Sequence, residues 1–573
     1  MMTKGEQYKG FRVLDVVDVE DCEAKGIHLK HEKTGLEVFH LLNEDEENLF
    51  AFAFKTPTFN STGVAHVIEH SVLCGSKKYP VRDSFIRLEN QSVNTYLNAY
   101  TASDHTVYPA SSTVRADYFN LMSVYADAVF FPLLKPEIFL QECHHLEFDS
   151  KGKPSIQGVV YNEMKGVFSS YESVAGNEIE KVVDVGTQYI HESGGDPLQI
   201  SSLTYQDFCA YHKKYYCAAN CFVFLYGNIP TQEQLDFLDK NILSKIKRCG
   251  HKAVYPKPDP NAKIQGKVQT YGPADGKEKK STVACIWKIP NGKKSRSEME
   301  MELLFLNHLL WGNDGAPILK NLMASKLGED IAPQTGTLLS QESCSVCCGL
   351  RGVEKKNAGK VRKVIYDTLT DISKNGIEPS ELDRIFMRFE VSNREKCRFG
   401  GPYSLTLLRR VLRSWRYGGN PWDLILFRSE TEKLKKKIQS NPKCISGLIN
   451  EYFLDNKNCS TVTVTPSAKW SKERSEKERQ NIEQKLKELG EEEAKSLLEK
   501  MHKAQEKELT QEEKDCVPRI SKSELDLYKD TIKTKHSIIS GIDFLSNKEE
   551  TNGIVYVKIA FPVDCLSPKD YPL

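Results

Sequence analysis

Residues 61–75 read STGVAHVIEHSVLCG, a stretch with two histidines four positions apart, His66 and His70, and with Glu69 directly before the second. At about 100° per residue, a helix places the apolar residues of this stretch in one sector and the two histidines and Glu69 opposite them. Residues at i and i+4 lie one above the other, so the two imidazoles suit two ligands of one tetrahedral zinc ion. The alternative is that three polar residues share a solvated helix face, because so short a motif also occurs by chance.

A third protein ligand is expected, because a catalytic zinc ion usually takes three and leaves one position open to water. The downstream segment GVVYNEMKGVFSSYES is predicted to be helical, and Glu163 falls inside its apolar stripe. A carboxylate that faces a core is costly unless it is paired or bound to metal. Glu163 is therefore the candidate third ligand, and a buried salt bridge to a lysine or arginine is the alternative.

Composition narrows the protein class. The chain has 573 residues, of which 39% are hydrophobic and 27% charged, so it can bury large cores and is expected to form two or three domains. A net charge of +1, from 79 basic and 78 acidic residues, provides no field that favours nucleic acid or an anionic membrane. No stretch approaches the ~18 apolar residues of a membrane helix, and the opening residues resemble neither a signal peptide nor a transit peptide. A cytoplasmic location is therefore predicted.

The cysteines and the other histidines are expected to be structural. Sixteen cysteines are scattered along the chain, which indicates reduced thiols, and the CSVCC group at 344–348 is predicted to lie in a core strand. His144 and His145, with Glu142 close by, could suggest a metal site. Adjacent residues on a helix diverge by about 100°, however, so the two cannot easily bind one ion.

The chain is predicted to be α+β, with two tandem domains of one kind. Residues 1–256 form the zinc-binding catalytic domain, residues 257–280 a linker rich in Pro, Gly and Lys, and residues 281–466 the second domain. Both domains follow the order strand, long helix, more strands, helices, final strand, which indicates duplication. His308 lies where the second domain would carry the motif, but HxxEH is missing there, so that domain is expected to be catalytically silent.

The remaining sequence is charged and then abruptly apolar. Residues 467–520 are dense in Lys and Glu and are predicted to form a helical hairpin that splits at Gly490. A solvent-exposed hairpin is preferred over a partner-binding coiled coil, because the apolar spacing does not sustain several heptads. Residues 521–573, with the strand-like GIVYVKIAFPVDC, are predicted to begin a third domain.

Three segments together resemble a known family. STGVAHVIEHSVLCGSKKYPVRDSF, SVNTYLNAYTASDHTVYPASS and GVVYNEMKGVFSS, in this order and spacing, closely resemble the presequence protease branch of the pitrilysin family, zinc peptidases with an inverted HxxEH motif. The resemblance covers essentially the whole chain and is strongest between Phe50 and Ser170. It implies a metalloendopeptidase that degrades short unstructured peptides, including targeting peptides. It also implies a clamshell of four related α+β domains around a chamber.

Carried over residue by residue, the resemblance implies the roles of four residues. His66, His70 and Glu163 correspond to the zinc ligands, one ion per chain, and Glu69 corresponds to the general base. The competing class is a noncatalytic peptide-binding or scaffold subunit of a pitrilysin-type complex. Such subunits usually lose part of the zinc motif, whereas this chain has all four residues.

The resemblance also suggests where substrate binds. The strand around Asn98, Ala99 and Tyr100 corresponds to the edge that receives an extended peptide by β-augmentation. Asp104 is considered as a residue that orients a ligand histidine, with a solvated strand-end carboxylate as the alternative. Family members continue through a second half of comparable size, whereas this sequence stops at Leu573. We therefore expect the other half to be supplied in cis or in trans.

Overall fold

The structure is a computed structural model that describes residues 2–82, 84–246, 251–259, 261–274, 280–290, 292, 294–396, 400–525, 533–564, 567 and 569. Its strands are β1 Gln7–Tyr8, β2 Phe11–Val19, β3 Ala24–His31, β4 Glu37–Leu42, β5 Asn48–Lys55, β6 Tyr96–Leu97, β7 Tyr100–Thr101, β8 His105–Ser112, β9 His145–Phe148, β10 Pro154–Gln157, β11 Cys221–Gly227, β12 Lys267–Gly272, β13 Ser281–Lys288, β14 Asp330–Ile331, β15 Gly336–Leu338, β16 Ser345–Val353, β17 Cys459–Pro466, β18 Thr534–Ile539 and β19 Ile542–Asn547.

The α-helices are α1 Val64–Val72, α2 Ser84–Gln91, α3 Arg115–Phe130, α4 Pro136–Glu142, α5 Val159–Ser169, α6 Tyr171–Lys181, α7 Pro197–Ile200, α8 Tyr205–Tyr215, α9 Thr231–Leu238, α10 Arg296–Leu310, α11 Pro317–Ala324, α12 Ala358–Asn375, α13 Pro379–Arg394, α14 Tyr403–Arg416, α15 Phe427–Ser440, α16 Cys444–Ile449, α17 Ala468–Leu489, α18 Glu491–Glu506 and α19 Gln511–Asp515. The chain is therefore a mixed α+β protein, as the sequence predicts.

The first sheet runs in the order β1-β2-β3-β4-β11-β5-β8-β6, and β7 also pairs with β8. Strand β11 returns from the end of this region to the middle of the sheet, parallel to β4 and antiparallel to β5. Strand β5 is buried on both faces: its three phenylalanines join the core that contains α1 and α3, and the smaller residues between them pack against α14. This two-sided burial explains why NLFAFAFK reads as a continuous apolar run.

The second sheet runs in the order β12-β17-β13-β16-β14, with β15 also paired to β16. Strand β12, at 267–272, lies within the segment predicted to be a linker, and it pairs in parallel with β17. The Pro, Gly and Lys content of that segment misled the sequence analysis, because an edge strand needs few apolar residues. The cysteines of CSVCC are buried at β16, and burial raises their pKa, as expected for core thiols.

Helix α14 connects the two halves of the molecule. It belongs by sequence to the second predicted domain, yet Leu408, Val411 and Leu412 pack on the first sheet. Its apolar face thus covers the side of β5 that α1 and α3 do not. The boundary at 281–466 drawn from the sequence stays a prediction, because one helix of that range completes the core of the first.

The charged hairpin consists of α17 and α18, and it turns at Gly490, where φ is 82°. It is not simply exposed to solvent, because its sparse apolar residues lie against the first core. Ile482, Leu486 and Leu489 pack there from α17, and Met501 is 2% exposed on α18. Further on, β18 and β19 form a hairpin, but the strand predicted at 554–563 is not formed.

Candidate active site

Helix α1 carries the HxxEH residues and is enclosed on more than one side. Val67, Ile68 and Val72 are fully buried in the first core. The opposite face is enclosed as well, since His66 and Glu69 are 9% and 8% exposed. The alternative of a solvated polar face is therefore wrong, and these buried polar side chains need partners.

A close approach between two loops determines how α1 begins and how His66 is oriented. Gly63 precedes the helix with φ of 68°, in the left-handed region. A Cβ at this position would lie 2.7 Å from the carbonyl oxygen of Gly194, so only glycine fits without a shift. The same carbonyl oxygen accepts a hydrogen bond from Nδ1 of His66 at 3.0 Å. Gly63 thus permits the contact that orients the first histidine.

Glu142, at the end of α4, orients the second histidine. Nδ1 of His70 donates to Oε2 of Glu142 at 3.2 Å. Burial is the largest influence on the pKa of His70 and lowers it, but the hydrogen bond and charge of Glu142, together with other nearby carboxylates, raise that pKa above its usual value. With Nδ1 donating in both rings, each neutral imidazole keeps Nε2 as an acceptor that can bind a metal ion.

The two Nε2 atoms converge on Glu163. Oε2 of Glu163 lies 3.7 Å from Nε2 of His66 and 3.8 Å from Nε2 of His70. Tetrahedral bonds of about 2.0–2.2 Å place ligand atoms roughly 3.3–3.5 Å apart, so a small contraction would close this group around an ion. Two imidazoles and one carboxylate form a donor set that zinc accepts. In the described part of the chain, this is the only group of three or more such residues that comes close enough to hold an ion.

The surroundings of Glu163 differ from the sequence prediction. Its side chain is 52% exposed, and α5 turns Tyr161 and Met164 inward instead. The expectation of a carboxylate that faces a core is therefore wrong. Burial imposes no positive partner on Glu163, and its candidacy as a ligand rests on the convergence of the three side chains. The exposure leaves the centre open to solvent on one side.

Asp104 lies elsewhere in the fold. It is 1% exposed and pairs with Arg416 of α14, and it accepts hydrogen bonds from the hydroxyls of Tyr189 and Tyr417. Burial alone would raise the pKa of Asp104, but Arg416 and the neighbouring His105 hold it well below its usual range. Both sequence-based interpretations, an orienting residue for a ligand histidine and a solvated carboxylate, are wrong. Its main partner lies 312 residues away, beyond the reach of any local pattern.

The predicted substrate strand lies at an edge of the first sheet. Asn98 and Ala99 lie between β6 and β7, and Tyr100 begins β7. Among the described strands, β6 and β7 pair with β8 alone, and β7 packs next to α1. The N–H of Ala99 donates to Oδ1 of Asn98 at 2.9 Å. The position suits an added strand beside the metal centre, and substrate binding there stays a prediction.

The sequence analysis missed the partners that orient the histidines. His144 and His145 are structural, as predicted, since their ring nitrogens bind the carbonyl oxygens of Leu203 and Leu140. Glu142 was set aside with them, although it is the partner of His70. No local signal identifies it, because the contact spans 72 residues, and the one to Gly194 spans 128.

Three family models match successive parts of the chain. The model described as Insulinase (Peptidase family M16) matches residues 57–151, which include the HxxEH motif. The model described as Peptidase M16 inactive domain matches residues 202–388. A third model, for a region associated with the C subfamily of the same peptidases, matches residues 464–573, which include the charged hairpin.

Similar proteins match almost the whole chain. Protein HypA of Clostridium perfringens is 31% identical over 98% of this chain and 58% of its own length. The mitochondrial presequence protease of Xenopus tropicalis is 30% identical, over 98% of this chain and 55% of its own. Presequence protease 1, chloroplastic/mitochondrial, of Arabidopsis thaliana is 32% identical, over 98% and 53%. The chain thus spans little more than half the length of these relatives.

Solved structures show the same fold. A protease from Helicobacter pylori has a TM-score of 0.59 at 18% identity and covers 77% of this chain and 100% of its own. The first half of the periplasmic protease PqqL from Escherichia coli has a TM-score of 0.54 at 13% identity, with 89% and 99% covered.

Motif, fold and matches together define the class: the chain belongs to the M16, or pitrilysin, family of peptidases. Within that family it falls in the presequence protease branch. None of the described helices is both long and apolar enough to cross a membrane. The cytoplasmic location stays a prediction, since the two presequence proteases above are named mitochondrial or chloroplastic.

Proposed function

We propose that this chain provides the catalytic metal centre of a zinc-dependent endopeptidase that cuts short, unstructured peptides. The observation that carries the proposal is the convergence of His66, His70 and Glu163, with Glu69 on the same helix as the histidines. Membership of the M16 family supports the peptidase class. The donor set supports zinc, because two imidazoles and a carboxylate leave a fourth position open.

The residues divide the chemical work among them. His66, His70 and Glu163 would hold the ion, and the partners of the two Nδ1 atoms keep both rings oriented toward it. A zinc ion there supplies a Lewis acid that polarises a carbonyl and lowers the pKa of water. Glu69 accepts a proton at its carboxylate as water attacks the peptide carbonyl, and it returns that proton to the leaving amine. The reaction is peptide hydrolysis without a covalent intermediate on the protein.

Substrate is proposed to bind along the edge formed by β6 and β7, through the backbone around Asn98, Ala99 and Tyr100. Pairing through main-chain hydrogen bonds accepts extended peptides with little regard to sequence. Targeting peptides fit this description, and the relatives named presequence proteases support that class. The enclosing chamber belongs to the same proposal, and we expect a further part of the enzyme, in cis or in trans, to be needed for full turnover.

The decisive experiment separates metal binding from catalysis. We expect about one zinc per chain by elemental analysis, retained by Glu69→Gln and lost by His66→Ala and by Glu163→Ala, because Glu69 is proposed as a base and not as a ligand. Cleavage of a quenched fluorescent peptide should be low in the parent and absent in Glu69→Gln. Full zinc content in Glu163→Ala would refute the ligand set. Zinc and peptide binding with equal background cleavage in parent and Glu69→Gln would favour a noncatalytic binding subunit.

A further inference from the structure

A chain of side-chain hydrogen bonds connects the charged hairpin to the metal centre. Nδ1 of His70 donates to Oε2 of Glu142, and Nε2 of Gln141 donates to the other oxygen, Oε1, at 2.7 Å. Nε2 of Gln505, near the end of α18, donates to Oε1 of Gln141 at 3.0 Å. Three side chains therefore link a helix more than 430 positions downstream in the sequence to one proposed ligand.

The direction of these hydrogen bonds is determined by Glu142. An ionised carboxylate only accepts, so His70 and Gln141 must both donate to it. Gln141 uses its amide nitrogen for that purpose and presents its amide oxygen to the hairpin. A donor is needed at that oxygen, and the side chain of Gln505 supplies one. Removal of that donor would free Gln141 to rotate and would weaken the hold on Glu142.

The hairpin is firmly attached at this point. Arg82 donates to the main-chain carbonyl oxygen of Gln505. Met501, one turn earlier on α18, is 2% exposed and packs with the first core. The backbone that carries Gln505 is thus held by a guanidinium and by an apolar anchor, and its side chain can position Gln141 rather than follow it.

The hairpin also contacts the elements that carry the other two proposed ligands. Glu478 of α17 accepts hydrogen bonds from Tyr161 and Lys165, which flank Glu163 on α5. Arg474 of α17 pairs with Asp196, two residues after the carbonyl that orients His66. The relay through Gln505 is therefore one of three contacts between this hairpin and the supports of the metal centre.

We propose that Gln505 is a positioning residue for the metal centre, acting on His70 through Gln141 and Glu142. The charged hairpin is then a support of the ligand set as well as a connection along the chain. The inference rests on the proposed function, because it concerns the same three ligands. It adds a residue that neither the motif nor the ligand geometry identifies.

Two substitutions at Gln505 separate the hydrogen bond from charge. Gln505→Glu keeps the length but loses the donor, and its negative charge would by itself favour a cation. Gln505→Lys keeps a donor, and its positive charge would by itself disfavour one. Gln484→Glu is the matched control, since Gln484 is an exposed glutamine on α17 that bonds only to Glu488 in the described structure. Gln141→Met removes the middle of the relay from within the first core.

The measurement is the zinc dissociation constant of the full 573-residue chain, from competition with a chromogenic chelator. The visible spectrum of the cobalt-substituted protein reports the geometry of the ligands in the same samples. Loss of a direct outer partner of a ligand typically weakens metal binding about 10- to 100-fold, so we expect about 3- to 10-fold for Gln505→Glu and about 10-fold for Gln141→Met. Gln505→Lys and Gln484→Glu should stay within about 2-fold of the parent, with the parent spectrum.

The outcomes discriminate between the possibilities. Equal losses in Gln505→Glu and Gln505→Lys would show a merely structural contact and overturn the proposal, as would parent affinity and an unchanged spectrum in Gln505→Glu. If Gln505→Glu fails to fold by circular dichroism, the Lys variant and Gln141→Met decide: parent affinity in Gln141→Met overturns the relay. Failure of the proposed function looks different, because His66→Ala would then keep its zinc.

Discussion

At the scale of single residues, the metal centre depends on atoms that orient the ligands. His66 is held by a main-chain carbonyl, and this contact exists because Gly63 has no side chain. His70 is held by a buried carboxylate. The two histidines thus differ in what would disturb them: a backbone shift for the first and a side-chain change for the second.

Gly63→Ala tests the first of these. The left-handed φ of Gly63 costs an alanine about 1–2 kcal/mol, and its Cβ would push against the carbonyl oxygen of Gly194. We expect a lower melting temperature and about 10-fold weaker zinc binding, because Nδ1 of His66 loses its acceptor geometry. Gly166→Ala, on α5 near Glu163, is the control: its Cβ meets nothing within 4 Å, so helix propensity should leave it neutral or more stable. Equal zinc affinity in both variants would contradict this account of His66.

At the scale of secondary-structure elements, the edge formed by β6 and β7 is where peptide binding can be tested without change to the metal ligands. Ala99→Pro removes a main-chain donor from this edge, whereas Ala99→Gly keeps it. We expect the proline variant to bind a labelled peptide at least about 10-fold more weakly, and the glycine variant to change affinity only slightly. Fluorescence anisotropy of Glu69→Gln carrying each change measures binding without cleavage. Equal affinities in correctly folded variants would count against docking at this edge.

The elements also show how far the sequence could lead. Helix α1, its apolar face and the pairing of His66 with His70 follow from a 3.6-residue period, and Glu163 was found through the helix that carries it. The reason given for Glu163 was nevertheless wrong, because a helical stripe does not reveal which side an open surface lies on. Strand β12 was missed since parallel pairing with β17 leaves little trace in composition. Contacts to Glu142 and Gly194 join residues far apart in sequence, which periodicity cannot detect.

At the scale of the whole molecule, the two halves are joined by a buried ion pair under α14. Asp104 and Arg416 are both almost fully buried, and Arg416 also donates to the carbonyl oxygen of Ser340. Removal of one partner leaves an uncompensated charge, which typically costs about 3–5 kcal/mol. We expect Arg416→Met to lower the urea midpoint sharply, and Asp104→Asn combined with Arg416→Met to recover part of the loss. A double variant that is no better than the single one would contradict this coupling.

The same pair predicts a pH dependence. The folded-state pKa of Asp104 lies below its unfolded value, so its contribution to stability is present above about pH 4 and is lost as pH falls further toward the folded pKa. Asp104→Asn should therefore remove part of the loss of stability on acidification below about pH 4. Parallel melting curves of parent and variant from about pH 7 to about pH 3 measure this, and an unchanged difference across that range would contradict it.

The last whole-molecule feature is an apolar surface carried by residues 538–563. Ile542 is 71% exposed, Leu545 64%, Val557 75%, Ile559 73% and Phe561 80%, and these side chains follow one another along a short stretch of chain. Contiguous apolar surface of this kind marks an interaction site or promotes association. We expect the 573-residue chain to associate in a concentration-dependent way, and Ile542→Lys with Ile559→Lys and Phe561→Lys to shift it toward monomer. Sedimentation velocity at several concentrations measures both, with Lys469→Glu on exposed α17 as a surface-charge control that should associate like the parent. A parent that stays monomeric at every concentration would show that these side chains are tolerated in water and would remove the physical reason for assigning them a partner.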